Sequence, residues 1–238
     1  MFHLKWPLFT VAVLAAWMQV HAQDEAPMQE SIMVMEAYSG KVLVASNAAA
    51  KRPIASLTKI ASGAVVVDWA TATETDISTA RIRVPQTVTL VGGPNPMNLQ
   101  PGDQMTVRDA LYAALLGSDN LAALSLADHV GRELISRRGK GSDPVVEFVG
   151  EMNRLAKSLG MTQSRFANPH GLERPGAKAF STAADVARLS VYAMRRNAFT
   201  FIVRQKERQI TVHGASGPRS VIWVSSVPSG RIVNRFGG

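Results

Sequence analysis

The chain has 238 residues, no cysteine, and 26 Lys+Arg against 18 Asp+Glu, for a net charge of +8. The missing cysteines exclude a disulfide framework, a thiolate zinc site and a cysteine nucleophile. A composition of 46% hydrophobic and 18% charged residues excludes a disordered chain, and the length suits one large domain.

Residues 1–22 read as a secretory signal. Lys5 supplies the positive start, Leu8 to Trp17 is a short apolar core, and Val20-His21-Ala22 presents small residues before a cleavage point at Gln23. The apolar run is shorter than the roughly 20 residues of a membrane span. The expectation is therefore a mature domain over 23–238 in the periplasm or at a cell wall, without a transmembrane anchor.

Ser31 to Ala37 and Lys41 to Ser46 are β-rich runs around Tyr38-Ser39-Gly40 and predict a hairpin. Lys51-Arg52-Pro53 breaks the chain before a helical stretch from Ser56 to about Ala72. Val84 to Leu90 reads as a strand, and Gly92-Gly93-Pro94-Asn95-Pro96 as irregular loop. Thr106, with Asp109 three residues on, caps a helix to Leu116. Gly117-Ser118-Asp119-Asn120 separates it from an apolar helix over about Leu121 to Ser136. Asp143 as N-cap, Pro144 at the first helical position and Gly160 beyond the last turn frame another helix. Ala167 to Lys178 reads as loop, and Ser181 or Thr182 caps a helix to about Met194. Arg204 to Val212 and Ser220 to Val227 read as strands joined by Gly214 to Pro218, and 228–238 as irregular. A hairpin, a helical block and further strands predict an α+β fold, helices covering an antiparallel sheet.

Charge is uneven along this order. Residues 23–173 carry a net charge of −2, whereas 174–238 hold 11 basic and 2 acidic residues. No nucleic-acid motif accompanies the basic part, and export argues against nucleic acid as a partner. A solvated face or an anionic cell-envelope partner are the remaining readings.

Ser56-Leu57-Thr58-Lys59 is the most informative tetrapeptide. A serine hydroxyl is a weak nucleophile until a base removes its proton. Positions three apart share a helix face, so Lys59 can reach the Ser56 hydroxyl. It can act as a base only if burial or a neighbouring cation lowers its usual pKa of about 10.4. Free N–H groups at a helix start can also stabilise an oxyanion. The plain structural readings are that Ser56 is a helix N-cap and Asn120 a turn residue. Order adds weight: Ser-x-x-Lys, then Ser-x-Asn at Ser118-Asp119-Asn120, opens the signature that β-lactamases and penicillin-binding proteins complete with Lys-Thr-Gly.

With three further stretches, Met152 to Met161 (MNRLAKSLGM), Phe166 to Leu172 (FANPHGL) and Ser181 to Asp185 (STAAD), together with Arg52 to Lys59 and Gly117 to Asn120, the chain resembles the D-alanyl-D-alanine carboxypeptidases, the low-molecular-mass penicillin-binding proteins. The likeness runs from about Ser31 to about Val224. It implies a β-lactamase/transpeptidase-like α+β fold, an antiparallel sheet flanked by helices with a helical subdomain. Ser56 would be the acylated nucleophile, Lys59 its base, Ser118 a proton relay to the leaving amine, and Asn120 a substrate-binding residue that also holds Lys59. The implied substrate is the D-Ala-D-Ala end of peptidoglycan stem peptides. β-Lactams would be trapped by the same serine, and neither metal nor organic cofactor is needed. His170 is expected to tie its own loop together, and His129 to pack within its helix.

The third motif, Lys-Thr-Gly, is absent. The last lysine is Lys206, and Ala215-Ser216-Gly217 lacks the cation. The pattern fades after Trp223-Val224, and the expectation is a chain truncated before that motif with its C-terminal strands incomplete. Three functions follow: a D-Ala-D-Ala carboxypeptidase or an endopeptidase on peptide cross-links; a catalytically impaired peptidoglycan-binding remnant; and a β-lactamase. The last is disfavoured because no Glu-x-x-Leu-Asn supplies a class A deacylating carboxylate.

Overall fold

Two apolar runs, Ile32–Met35 (β1) and Val42–Ser46 (β2), pair in an antiparallel hairpin whose register shifts after Val34. These are elements of a computed structural model, which describes residues 30–93, 95–173, 176 and 178–224. The expected signal over 1–22 and irregular tail over 228–238 lie outside the described residues. Gly40, at φ +73°, allows the turn between the two strands.

After a single 3-10 turn at Ala55–Leu57, helix α1 runs Thr58–Ala72. Its Ala61, Ala64, Val65, Val66, Val67 and Trp69 are all buried, so it is apolar around most of its circumference. Such a helix belongs at the centre of a domain, with others around it. Helices α2 (Val107–Leu115), α3 (Asn120–Arg138), α4 (Pro144–Ser158) and α5 (Ala183–Met194) surround it.

The capping signals act as expected. The Thr106 hydroxyl accepts from the Asp109 N–H (3.0 Å), Asp143 from Val145 (2.8 Å) and Val146 (3.1 Å), and Thr182 from Asp185 (3.1 Å). Each satisfies N–H groups that a helix start leaves unpaired. Helices α3 and α4 approach so closely that a Cβ on Gly131 would lie 1.9 Å from the Pro144 carbonyl oxygen.

Four strands form a second sheet in the order β3-β4-β5-β6: Arg81–Arg83, Gln104–Thr106, Glu207–Gly214 and Gly217–Val224. The expected strand over 84–90 is not one. Pro85 has no N–H to give a ladder, and 86–90 coil into a 3-10 turn. Val84 closes the strand by donating to Asp103 O and accepting from Gly102 N–H. The last hairpin is shifted from its expected bounds. Its turn is Ala215-Ser216, Gly217 takes φ +104°, and a short helix α6 (Asn197–Val203) occupies the approach to Arg204. Seven residues are too few for a periodicity to stand out. In β5, Ile210 and Val212 alternate inward onto the core. The fold is α+β as expected, with its strands divided between two sheets. No helix among the described residues is long and apolar enough to cross a membrane.

Candidate active site

Ser56 lies in the 3-10 turn that leads into α1, one residue after Ala55, which holds φ +41°. Neither the turn nor α1 has a side-chain cap, so the Ser56 hydroxyl does not serve as an N-cap. It is exposed, and two other side chains converge on it. Lys59 Nζ lies 3.2 Å from Ser56 Oγ, and the Ser118 hydroxyl donates to the same oxygen at 3.0 Å.

Lys59 is buried, and its remaining partners are fixed. Nζ donates to Asn120 Oδ1 and to the His170 carbonyl, both at 2.8 Å. A neutral amine keeps two N–H bonds and one lone pair. With two acceptors permanently in place, the lone pair is left for the Ser56 proton. Burial pushes the ammonium down to about 8, against the opposing pull of the Asp119 carboxylate. The site therefore favours loss of the lysine proton well below the usual range.

The structure brings all four expected residues together: Ser56, Lys59, Ser118 and Asn120. Asn120 is the first residue of α3, with its amide oxygen turned to Lys59. Ser118 takes φ +52° in the turn between α2 and α3. Non-glycine residues at such angles are held there by their surroundings, and both Ala55 and Ser118 flank the same hydroxyl pair.

Three further contributors stand around these four residues. Asp119 is fully buried and caps α3 by accepting from Ala122 N–H (2.9 Å). Burial pushes its carboxyl up, opposed chiefly by hydrogen bonds from the Ala122 and Met97 N–H groups. Its cap position could have been read from the turn-to-helix pattern; its burial beneath Lys59 could not. The second is the loop 168–171. Asn168 Oδ1 accepts from the His170 (3.1 Å) and Gly171 (2.6 Å) N–H groups, and the Ser62 hydroxyl donates to Pro169 O (2.7 Å). The His170 ring accepts from Leu172 N–H at Nδ1 (3.1 Å), so the side chain closes its own loop while its carbonyl holds Lys59. The third is Gly171. At φ +87°, a Cβ there would stand 1.9 Å from the Ala55 carbonyl oxygen. Only glycine lets this loop seat against the turn that carries Ser56. Among the described residues, no group of three or more His, Asp or Glu could hold a metal ion.

A hydroxyl flanked by a lysine amine and a second hydroxyl can do acyl transfer: one group takes a proton while another passes one to a leaving group. Comparison with known proteins points the same way. The profile of the S11 peptidases, D-alanyl-D-alanine carboxypeptidase, matches residues 18–224. The chain is 33% identical over 202 residues to the D-alanyl-D-alanine carboxypeptidase DacC of Escherichia coli, covering 82% of this chain and 47% of that protein. It is 30% identical over 161 residues to a D-alanyl-D-alanine endopeptidase of Escherichia coli, covering 68% of this chain and 46% of the relative. The chain thus spans about half the length of the curated relatives it matches. Among solved structures, the Streptomyces K15 DD-transpeptidase superposes with a TM-score of 0.68 at 26% identity, over 87% of this chain and 75% of that one. A D-alanyl-D-alanine carboxypeptidase from Mycobacterium tuberculosis gives 0.65 at 26% identity, over 82% and 65%.

Proposed function

Since the chain belongs to the D-alanyl-D-alanine carboxypeptidase family of serine peptidases, we propose that it acts outside the cytoplasm as a D-Ala-D-Ala carboxypeptidase on peptidoglycan stem peptides, with Ser56 as nucleophile. The observation that carries this reading is the pair of short contacts on one hydroxyl, Lys59 Nζ at 3.2 Å and Ser118 Oγ at 3.0 Å. Neutral Lys59 takes the Ser56 proton as Oγ attacks the carbonyl of the penultimate D-Ala. The tetrahedral oxyanion develops beside the N-terminus of α1, where the helix dipole favours negative charge. The C–N bond breaks as the Ser118 hydroxyl gives its proton to the departing amine of the terminal D-Ala and takes up the proton held on Lys59, which returns to its neutral form. Water then cleaves the ester, with Lys59 again as base. Asn120 keeps Lys59 aimed and offers its amide N–H to the substrate's backbone. A β-lactam would acylate the same oxygen.

A second reading is a chain that binds stem peptides but acylates slowly.

One experiment separates the two. The purified chain is incubated with a fluorescent penicillin and, in parallel, with an N-acylated peptide ending in D-Ala-D-Ala. A covalent adduct and D-Ala release, both lost in Ser56→Ala, are expected. Peptide binding with no adduct, and no difference between the native chain and Ser56→Ala, would leave only the binding reading. Cleavage of cross-linked dimers to monomers, without D-Ala release from the D-Ala-D-Ala peptide, would make it an endopeptidase.

A further inference from the structure

A cavity of about 550 Å³ is bordered by the C-terminal half of α1, the end of α3, and α4. It contains none of the four residues around Ser56. Trp69 on its wall lies ten residues along α1 from Lys59, about 15 Å at 1.5 Å per residue. Its size is within the range of small-molecule sites, about 300–1,000 Å³, and clefts between packed helices are a common place for them.

The wall and the rim differ in chemistry. Val65, Trp69, Val130, Leu134 and Leu155 make an apolar wall. Trp69 is held in place by the His129 ring, packed edge-on at 5.5 Å. Three arginines, Arg137, Arg138 and Arg154, stand around it with only two carboxylates, Asp68 and Glu151. Asp68 is already occupied, accepting from Tyr192 Oη (2.6 Å) and Arg196 Nε (2.8 Å). Glu151 is shared: its Oε2 accepts from Arg138 Nη2 (2.6 Å), Arg154 Nη2 (2.6 Å) and Arg154 Nε (3.0 Å). Glu147, outside the lining, approaches Arg138 at 3.9 Å. Arg137 makes no ion pair among the described residues. With Asp68 neutralised by Arg196, the three rim arginines face Glu151 and, at 3.9 Å from Arg138, Glu147, an excess of one positive charge. Arg154 commits Nε and Nη2 to Glu151, which leaves its Nη1 edge toward an incoming acceptor.

We infer that this cavity is a second ligand site, separate from the Ser56 cleft, that takes a small amphipathic anion: an aromatic or branched apolar body against Trp69 and Leu155, with one carboxylate at Arg154 and Arg137. An apolar body fills the volume without burying polar groups unpaired, and guanidinium–carboxylate contacts are the strong, directional ones. The inference rests on the cavity alone and holds whether or not Ser56 is acylated.

Binding of 1-naphthoate to the purified full chain, measured by isothermal titration calorimetry, tests it, with 1-naphthamide as the uncharged control. Saturable one-to-one binding is expected, with the amide weaker by about tenfold or more because it cannot charge-pair with the rim. Arg154→Gln should weaken naphthoate by about tenfold. Ser158→Trp, an exposed position at the mouth of the cavity, should plug the site and remove binding. Both variants should keep the native melting temperature; should Ser158→Trp lose it, Arg154→Gln and the amide comparison decide. No saturation by about 1 mM overturns the inference. So does equal affinity for the amide, or binding indifferent to Arg154→Gln and a folded Ser158→Trp.

Discussion

The surroundings of Ser56 and the β1–β2 hairpin differ in how far they are enclosed. Around Ser56, the polar groups of Lys59, Asn120, Asn168 and Ser62 are bonded within buried helix and loop. Every residue of β2 is exposed, with Leu43 at 57% and Val44 at 50%, and β1 alternates between exposed and half-buried. Helices satisfy their own backbone groups and can crowd side chains on all sides. A two-stranded sheet pairs its backbone once and leaves its faces to be covered by something else. Chemistry that needs atoms held to within a fraction of an ångström is found on the enclosed side.

The contrast can be broken most sharply at Ser56. Ser56→Ala should lower penicillin acylation by about 10⁴-fold or more, because the remaining groups have no nucleophile to activate. A residual adduct at the native rate, by gel fluorescence, would move the nucleophile elsewhere. Gly171→Ala comes next. Its Cβ would meet the Ala55 carbonyl oxygen at 1.9 Å with φ at +87°, so the loop must leave the turn. A loss of about 3–4 kcal/mol in urea unfolding is expected, with acylation falling as well.

The pH profile sharpens the same point. Lys59 is pushed down to about 8, and only its neutral form can accept the Ser56 proton. The acylation rate should therefore rise about tenfold between pH 7 and 9 and then level off. A flat profile over that range would remove Lys59 as the base. Ser62→Ala leaves the Pro169 carbonyl without its donor beneath the loop and should cost about 1–2 kcal/mol, read from the shift in urea midpoint. The smallest effect belongs to the hairpin: Leu43→Thr should change stability by no more than about 0.5 kcal/mol. A loss as large as that of Ser62→Ala would mean that the hairpin is enclosed after all.

Much of the frame was legible. Thr106, Asp143 and Thr182 announce helix starts because a side-chain acceptor three residues or fewer before an N–H is a local arrangement. The Ser56–Lys59 contact is likewise local, one turn apart. What escaped was set by longer reach or by a shorter element. Pro85 turned an apolar run into a 3-10 turn, and α6 was too short to show a period. Pairing of β5 with β4, rather than with the first hairpin, joins segments about a hundred residues apart.

By itself the sequence determined which residue types stand at helix starts, where Ser56 and Lys59 share a face, and which motif order they belong to. All of these follow from spacing within a few residues. Only the tertiary structure decided that the His170 carbonyl and Asn120 both take hold of Lys59, that Asp119 lies buried beneath it, and that Gly171 seats against Ala55. Those contacts join residues 60 to more than 100 positions apart. The lowered lysine pKa comes from burial, and burial is a property of how helices pack rather than of any stretch of chain.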